Sequence, residues 1–214
     1  MPSVPPAQLG FFVHERFQAS FMETLLRLSR VIDAVSRFFG KTIIWLVLAS
    51  TLISAANAIA RKAFNLSSNA YLEIQWYLFA AVFLLGAGYA FLQNAHVRID
   101  VVAARLSLRT RMLIDIVGIV VFLLPLCWFM IDFSWPVVKA AYESGEMSSN
   151  AGGLIRWPAY ALVPTGFALL GLQAVSELIK RSAFLMGRGP NPLLNGPHDG
   201  HEQAPGEIAE ESRK

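Results

Sequence analysis

The chain has 214 residues, 55% of them hydrophobic and 15% charged, with a mean hydropathy of +0.47. Soluble domains run nearer a quarter charged and under half apolar, so this balance excludes an ordinary water-soluble enzyme and points to one membrane domain with polar ends. The net charge of +3 sums unlike parts: residues 191–214 hold 2 basic and 5 acidic groups, or −3, which leaves +6 on the rest.

After a flexible N-terminus over residues 1–20, Phe21, Leu25, Leu28, Ile32, Val35 and Phe39 recur at alternating steps of four and three. Glu23, Arg27, Arg30 and Arg37 fall largely between them, which predicts an amphipathic helix over residues 21–39. Such a helix can lie in the headgroup plane with its basic face on anionic membrane lipid; the alternative is a cytoplasmic helix packed on a partner.

Four stretches follow that are long and apolar enough to cross a bilayer, whose core of about 30 Å needs about 20 helical residues. They are roughly residues 40–60, 71–92, 112–135 and 154–178. Ala56-Asn57-Ala58 has the pattern of a signal-peptide cleavage site, but its apolar run starts near residue 42, far beyond the usual window. That run reads as a retained helix. The second stretch is the clearest, because residues 74–95 carry no charge.

Asp115 and Asp132 in the third stretch lie far from its midpoint, at interfacial depth, and are expected to be structural rather than proton-relay carboxylates. Pro125 at its centre removes a backbone donor and is expected to kink the helix. Beyond Gly187 the composition turns to Gly, Pro, Asn, His and Glu with no apolar period, which predicts a disordered tail over residues 187–214.

The expected fold is therefore an all-α integral membrane protein, four transmembrane helices preceded by an N-terminal amphipathic interfacial arm helix. Twelve Lys and Arg residues fall in the arm, in the second connection and after the fourth span, against four (Arg61, Lys62, Lys139 and Arg156) on the other side. The excess of basic groups on one side places both termini in the cytoplasm and the connections at residues 61–70 and 136–153 outside. The positive charge thus reports topology and implies no nucleic-acid partner.

No catalytic or cofactor constellation appears. His14, His96, His198 and His201 all lie outside the spans, which disfavours a haem-anchoring bundle, the alternative of a redox-complex anchor subunit. The single Cys127 excludes an intrachain disulfide and multi-cysteine metal sites. There is no phosphate loop, nucleophile elbow, zinc-protease helix or dinucleotide fingerprint, so neither an enzyme nor a bound metal or cofactor is expected. Asn57 is the only strong amide in the first span, and one amide does not make an ion site.

Polar groups instead decorate helix ends. Glu73 opens the second span with Trp76 and Tyr77 in the interfacial belt. It is expected to bind a neighbouring Arg or a backbone donor, with an ion-coupling role as the alternative. His96, Arg98 and Asp100 close the same span as a polar cluster, either an end cap or a subunit contact.

From Glu73 to Asp100 the chain reads EIQWYLFAAVFLLGAGYAFLQNAHVRID, and Glu146-Met147-Ser148-Ser149, Trp157-Pro158 and Pro164-x-Gly166 follow in order. With the arm and four spans, this resembles the small membrane subunit, DctQ-like, of tripartite ATP-independent periplasmic (TRAP) transporters, over about residues 21–182. The resemblance implies a bacterial inner-membrane scaffold that partners a large multi-span subunit and a periplasmic solute-binding protein in sodium-coupled uptake of an organic acid or similar solute. In such systems the substrate and sodium sites lie in the large subunit. The chain's end at residue 214 without further spans is read as a separate rather than fused subunit. Two site expectations accompany this reading: Glu73, Trp76, His96, Arg98 and Asp100 at a subunit interface or in a structural role, and Glu143 and Glu146 in docking the binding protein.

Overall fold

The computed structural model describes residues 6–65, 68–94, 106–187 and 189, with side chains from residue 21 onward. It is all-helical apart from one isolated antiparallel bridge, Met147 to Ile155, among the described residues. Helix α1 is Pro6–Phe64, α2 is Asn69–Leu92, α3 is Leu108–Ser144 and α4 is Trp157–Leu185. All four are long and apolar enough to cross a membrane.

The arm and the first span form one uninterrupted helix. Its 59 residues extend about 88 Å at 1.5 Å per residue, far more than a bilayer core requires. Gly40, at the expected junction of arm and span, does not break α1. It makes room for the Tyr89 ring of α2, whose Cγ would lie 2.4 Å from a Cβ at that position. The helix stops at Asn65, whose φ of 58° reverses the backbone.

Helix α3 carries the predicted irregularity at Pro125. The chain is α-helical over Leu108–Gly118 and again over Leu124–Ser144, and passes between them through a π-helical turn, Ile119–Leu123. The Leu124 N–H reaches back to the Ile119 carbonyl, one residue further than in an α-helix. The wider turn lets the Pro125 ring pass the preceding carbonyls, which a regular helix would bring into collision.

The same helix runs past its expected end at Trp135, through Pro136, to Ser144. The Ala140 and Ala141 pair, and Lys139 with Glu143 3.8 Å away one turn on, favour helix beyond the apolar stretch. Gly145, at φ 61°, ends it: its N–H donates to Tyr142 O (3.3 Å), and the Glu146 N–H to Ala141 O (3.2 Å).

Helices α1, α2 and α4 pack against one another, and α3 joins this group through α4. α1 packs on α2, α2 on α4 and α4 on α3, with a further contact between α1 and α4. Small residues permit these approaches. At Gly166 of α4 a Cβ would lie 2.7 Å from Leu84 Cβ and 2.8 Å from Leu84 O of α2, so Gly166→Ala must push the two helices apart. Helix α3 meets the others mainly through α4, which leaves Phe122, Trp128, Phe133 and Trp135 exposed to lipid or a partner.

Candidate functional site

Among the described residues, polar side chains that bond between elements gather in two clusters, one at the hairpin before α4 and one between the arm and the last turns of α4. In the first, the connection between α3 and α4 folds into a short hairpin. The Ser148 N–H donates to Leu154 O at 2.9 Å and the Arg156 N–H to Glu146 O at 3.0 Å. Gly152, at φ 70°, turns the chain, and Gly153 packs where a Cβ would collide with Ser148 Cβ at 2.4 Å.

Glu73, one turn into α2, organises this hairpin. Its Oε1 accepts from the Ser148 hydroxyl and from Asn150 Nδ2 (2.8 Å), and its Oε2 accepts the Leu154 backbone N–H at 2.7 Å. Two further bonds fasten the hairpin to α2: Asn69 Nδ2 donates to Ala151 O (3.1 Å) and the Tyr77 hydroxyl to Ile155 O (3.1 Å). The partner of Glu73 is thus a backbone donor with two side chains, and no Arg bonds to it directly.

Arg156, which precedes α4, turns its Nη1 to Glu146 Oε1 (3.2 Å) and to the Tyr160 hydroxyl oxygen (3.3 Å). The hydrogen bond to Tyr160, and the Glu146 carboxylate beside it, raise its pKa above the ordinary guanidinium value. Between α2, the hairpin and the start of α4 lies a cleft of about 570 Å³, with Asn69, Leu72, Trp76, Tyr77, Arg156 and Tyr160 in its walls beside Glu73.

The structure therefore brings Glu73 and Trp76 together at this cleft, with Glu146 joined to it through Arg156. Glu143 lies apart, exposed on the last turn of α3 and paired with Lys139 at 3.8 Å. His96, Arg98 and Asp100 lie outside the described residues. Ser148, Asn150, Arg156 and Tyr160 complete the cluster; Ser148 lies in the Glu146-Met147-Ser148-Ser149 motif, and nothing in the sequence marks the other three as its members.

In the second, a buried polar seam joins the arm to α4. Ser29, Asp33 and Ser36 share one face of α1 at helical steps of four and three, and all three are buried. They meet Gln173, Ser176, Glu177 and Lys180 of α4. The Ser36 hydroxyl donates to Gln173 Oε1 at 2.7 Å, and Gln173 Nε2 and the Ser176 hydroxyl donate to Asp33 Oδ1 at 2.9 and 2.7 Å. The Ser29 and Ser176 hydroxyls lie 2.8 Å apart. Lys180 Nζ bonds Asp33 Oδ2 at 3.1 Å and also pairs with Glu177.

Glu177 holds Arg181 as well, and Arg181 Nε reaches Asp115 Oδ2 of α3 at 3.2 Å. The seam thus ties three helices at one level. The side chains of Glu177 and Arg181 are each only 2% exposed. The arm's apolar positions Phe21, Leu28 and Val35 face away from it and remain exposed. The arm thus buries a narrow polar strip, Ser29, Asp33 and Ser36, against its own protein, while its charged residues Glu23, Arg27, Arg30 and Arg37 are exposed as well.

Neither cluster resembles a reaction centre. Among the described residues no group of three or more His, Cys, Asp or Glu could hold a metal ion. The carboxylates in both clusters are engaged by donors from the chain itself. Asn57 Oδ1, within the first span, is buried without a hydrogen-bond partner among the described residues, but it stands as a single acceptor. Cys127 is buried against Gly171 of α4.

Comparison with known families finds one match: residues 50–184 fit the model described as "Tripartite ATP-independent periplasmic transporters, DctQ component". No curated protein and no solved structure matches the chain.

Proposed function

The chain belongs to the DctQ component family of TRAP transporters, a small permease subunit with four membrane helices in the bacterial inner membrane, and on that premise we propose that it scaffolds a large transport subunit in sodium-coupled uptake of an organic acid or similar solute. The family match over residues 50–184 carries this reading. The placement of α3 supports it, because this helix packs on α4 and leaves Phe122, Trp128, Phe133 and Trp135 exposed. So do the pairings of Asp33, Glu177, Lys180 and Arg181 with one another and with Asp115, which commit these charges to the protein's own packing.

In this reading both termini face the cytoplasm and the hairpin faces the periplasm, as the distribution of Lys and Arg favours. Glu73 and Trp76 take a structural role beside the hairpin, and His96, Arg98 and Asp100 form contacts to the large subunit or to a second copy of this chain. Purification of the tagged chain from native membranes tests the role. A larger multi-span polypeptide should accompany it, and that association should weaken in Asp100→Ala. Recovery of the chain alone, or with a haem-absorbing complex, contradicts the reading.

Docking of the periplasmic binding protein is assigned to the outward surface around Glu143 and Glu146. Both are exposed, and each has a basic neighbour within the chain, so they are suited to steering an incoming partner more than to anchoring it. Reversing both to Lys should slow association at low salt by about tenfold and change dissociation little. Association kinetics that match the unaltered chain at low salt would remove docking from this surface.

A further inference from the structure

The cleft beside Glu73 holds hydrogen-bonding capacity that the hairpin leaves unused. Among the described residues Arg156 gives the protein only Nη1, and Nη2 and Nε bond to nothing in the chain. The Tyr160 hydroxyl oxygen accepts from Arg156, so its own proton has no acceptor there. Both donors stand at the first turn of α4, which contains no acidic residue and whose dipole favours an anion.

Across the cleft the chemistry has the opposite sign. A carboxylate offers about four acceptor positions, and Glu73 fills three, with one on Oε2 remaining. The Trp76 and Tyr77 rings beside it can face a cation. The space between is large enough for a small headgroup, at about 570 Å³.

Depth and surroundings identify the class of ligand. Glu73 lies one turn inside the start of α2 beside Trp76 and Tyr77, aromatic residues of the kind that sit at the headgroup level of a membrane span. Below it Trp76, Phe79 and Phe83 follow at steps of three and four and are 76%, 67% and 75% exposed, an apolar track leading from the cleft toward the membrane centre.

We propose that this cleft binds the headgroup of an ethanolamine phospholipid: the phosphate on Arg156 and Tyr160, the ammonium between Glu73 and the aromatic walls, and an acyl chain along Trp76, Phe79 and Phe83. A phosphate alone would leave the acidic side unpaired, and an anionic headgroup would meet Glu73 and Glu146. The site does not depend on the transport role.

The test uses the full chain purified from mixed vesicles containing equal amounts of ethanolamine, choline and glycerol phospholipids, with retained lipid counted by native mass spectrometry. The ethanolamine lipid should be retained over the glycerol lipid by about tenfold, and Tyr160→Phe and Arg156→Gln should each reduce that preference at least about fivefold. Because Arg156→Gln also releases Glu146, Tyr160→Phe is the decisive variant. Its hairpin should stay intact, as shown by unchanged hydrogen exchange at the Leu154 amide. Equal retention of the three lipids, or a preference untouched by Tyr160→Phe, overturns the proposal. So does soluble glycerophosphoethanolamine displacing the lipid at comparable concentration, which would make this a site for a free headgroup. Loss of the lipid whenever a large subunit co-purifies would overturn it too, showing instead that protein covers the cleft.

Discussion

Replacing Glu177 with alanine is expected to lower the thermal midpoint of the detergent-purified chain by about 6 to 20 °C. Glu177 accepts from both Lys180 and Arg181 and is itself 2% exposed. Its removal leaves Arg181 with only Asp115, and Lys180 with only Asp33, among the pairings that Glu177 now shares. Truncating one partner of a buried ion pair costs about 3–5 kcal/mol, because the remaining charge has been taken out of water without compensation. That figure describes disruption and not the net worth of the pair, which apolar packing of equal volume could match.

The loss should be local at first. The seam holds the arm against α4, so limited proteolysis within residues 21–39 should accelerate before the midpoint is reached. Glu177→Gln keeps an acceptor for one cation and should lose less than Glu177→Ala. A midpoint within about 2 °C of the unaltered chain would mean that the seam is not a structural element.

The second large effect concerns Glu73. Glu73→Ala deprives three donors of their acceptor at once, the Ser148 hydroxyl, the Asn150 amide and the Leu154 N–H. The hairpin then keeps its three internal backbone bonds and the ties from Asn69 and Tyr77, which are exposed to competition from water. Hydrogen exchange at the Leu154 amide should rise by at least about tenfold, with faster cleavage between residues 145 and 156. Glu73→Gln is informative because its size is conserved. One of its two ends is an NH₂ group, which would face donors where the carboxylate accepted, so it should fail nearly as badly. If Leu154 exchange is unchanged in both variants, Glu73 does not organise the hairpin.

The helices themselves are readable because lipid imposes a simple length requirement. A run without a charge such as residues 74–95 is too long and too apolar to belong anywhere but in a bilayer. Pro125 is also legible as an irregularity, although its form, a π-helical turn placed just before it, depends on how the preceding carbonyls move. The end of α3 is harder to place, because Pro136 coincides with the end of the apolar stretch and suggests a stop there. In the folded chain the helix carries on through it for two more turns and ends at a glycine.

The polar seam is not legible, for a physical reason. On an amphipathic helix polar residues are ordinarily given to water, and Ser29, Asp33 and Ser36 fall on the polar side of the arm. Their partners Gln173 and Ser176 lie about 140 residues away, and no local pattern connects the two sets. Lys180 and Arg181 mark topology after the last span, yet each is also held in an ion pair, Arg181 buried and Lys180 partly so. Glu73 is visible as an acid at a helix boundary needing a donor. That the donors come from the hairpin 75 to 81 residues later is a property of the α2 and α4 packing.

The polar groups of this protein hold its own helices and hairpin in place while its apolar faces remain open to others. The central claim is that it is a required scaffold in TRAP transport and contributes no solute site of its own. Proteoliposomes containing the large subunit, supplied with its binding protein, solute and a sodium gradient, test this directly when prepared with and without this chain. Uptake should require the chain, and the solute's apparent affinity should not shift when Glu143 and Glu146 are reversed. Equal uptake in its absence would contradict the account.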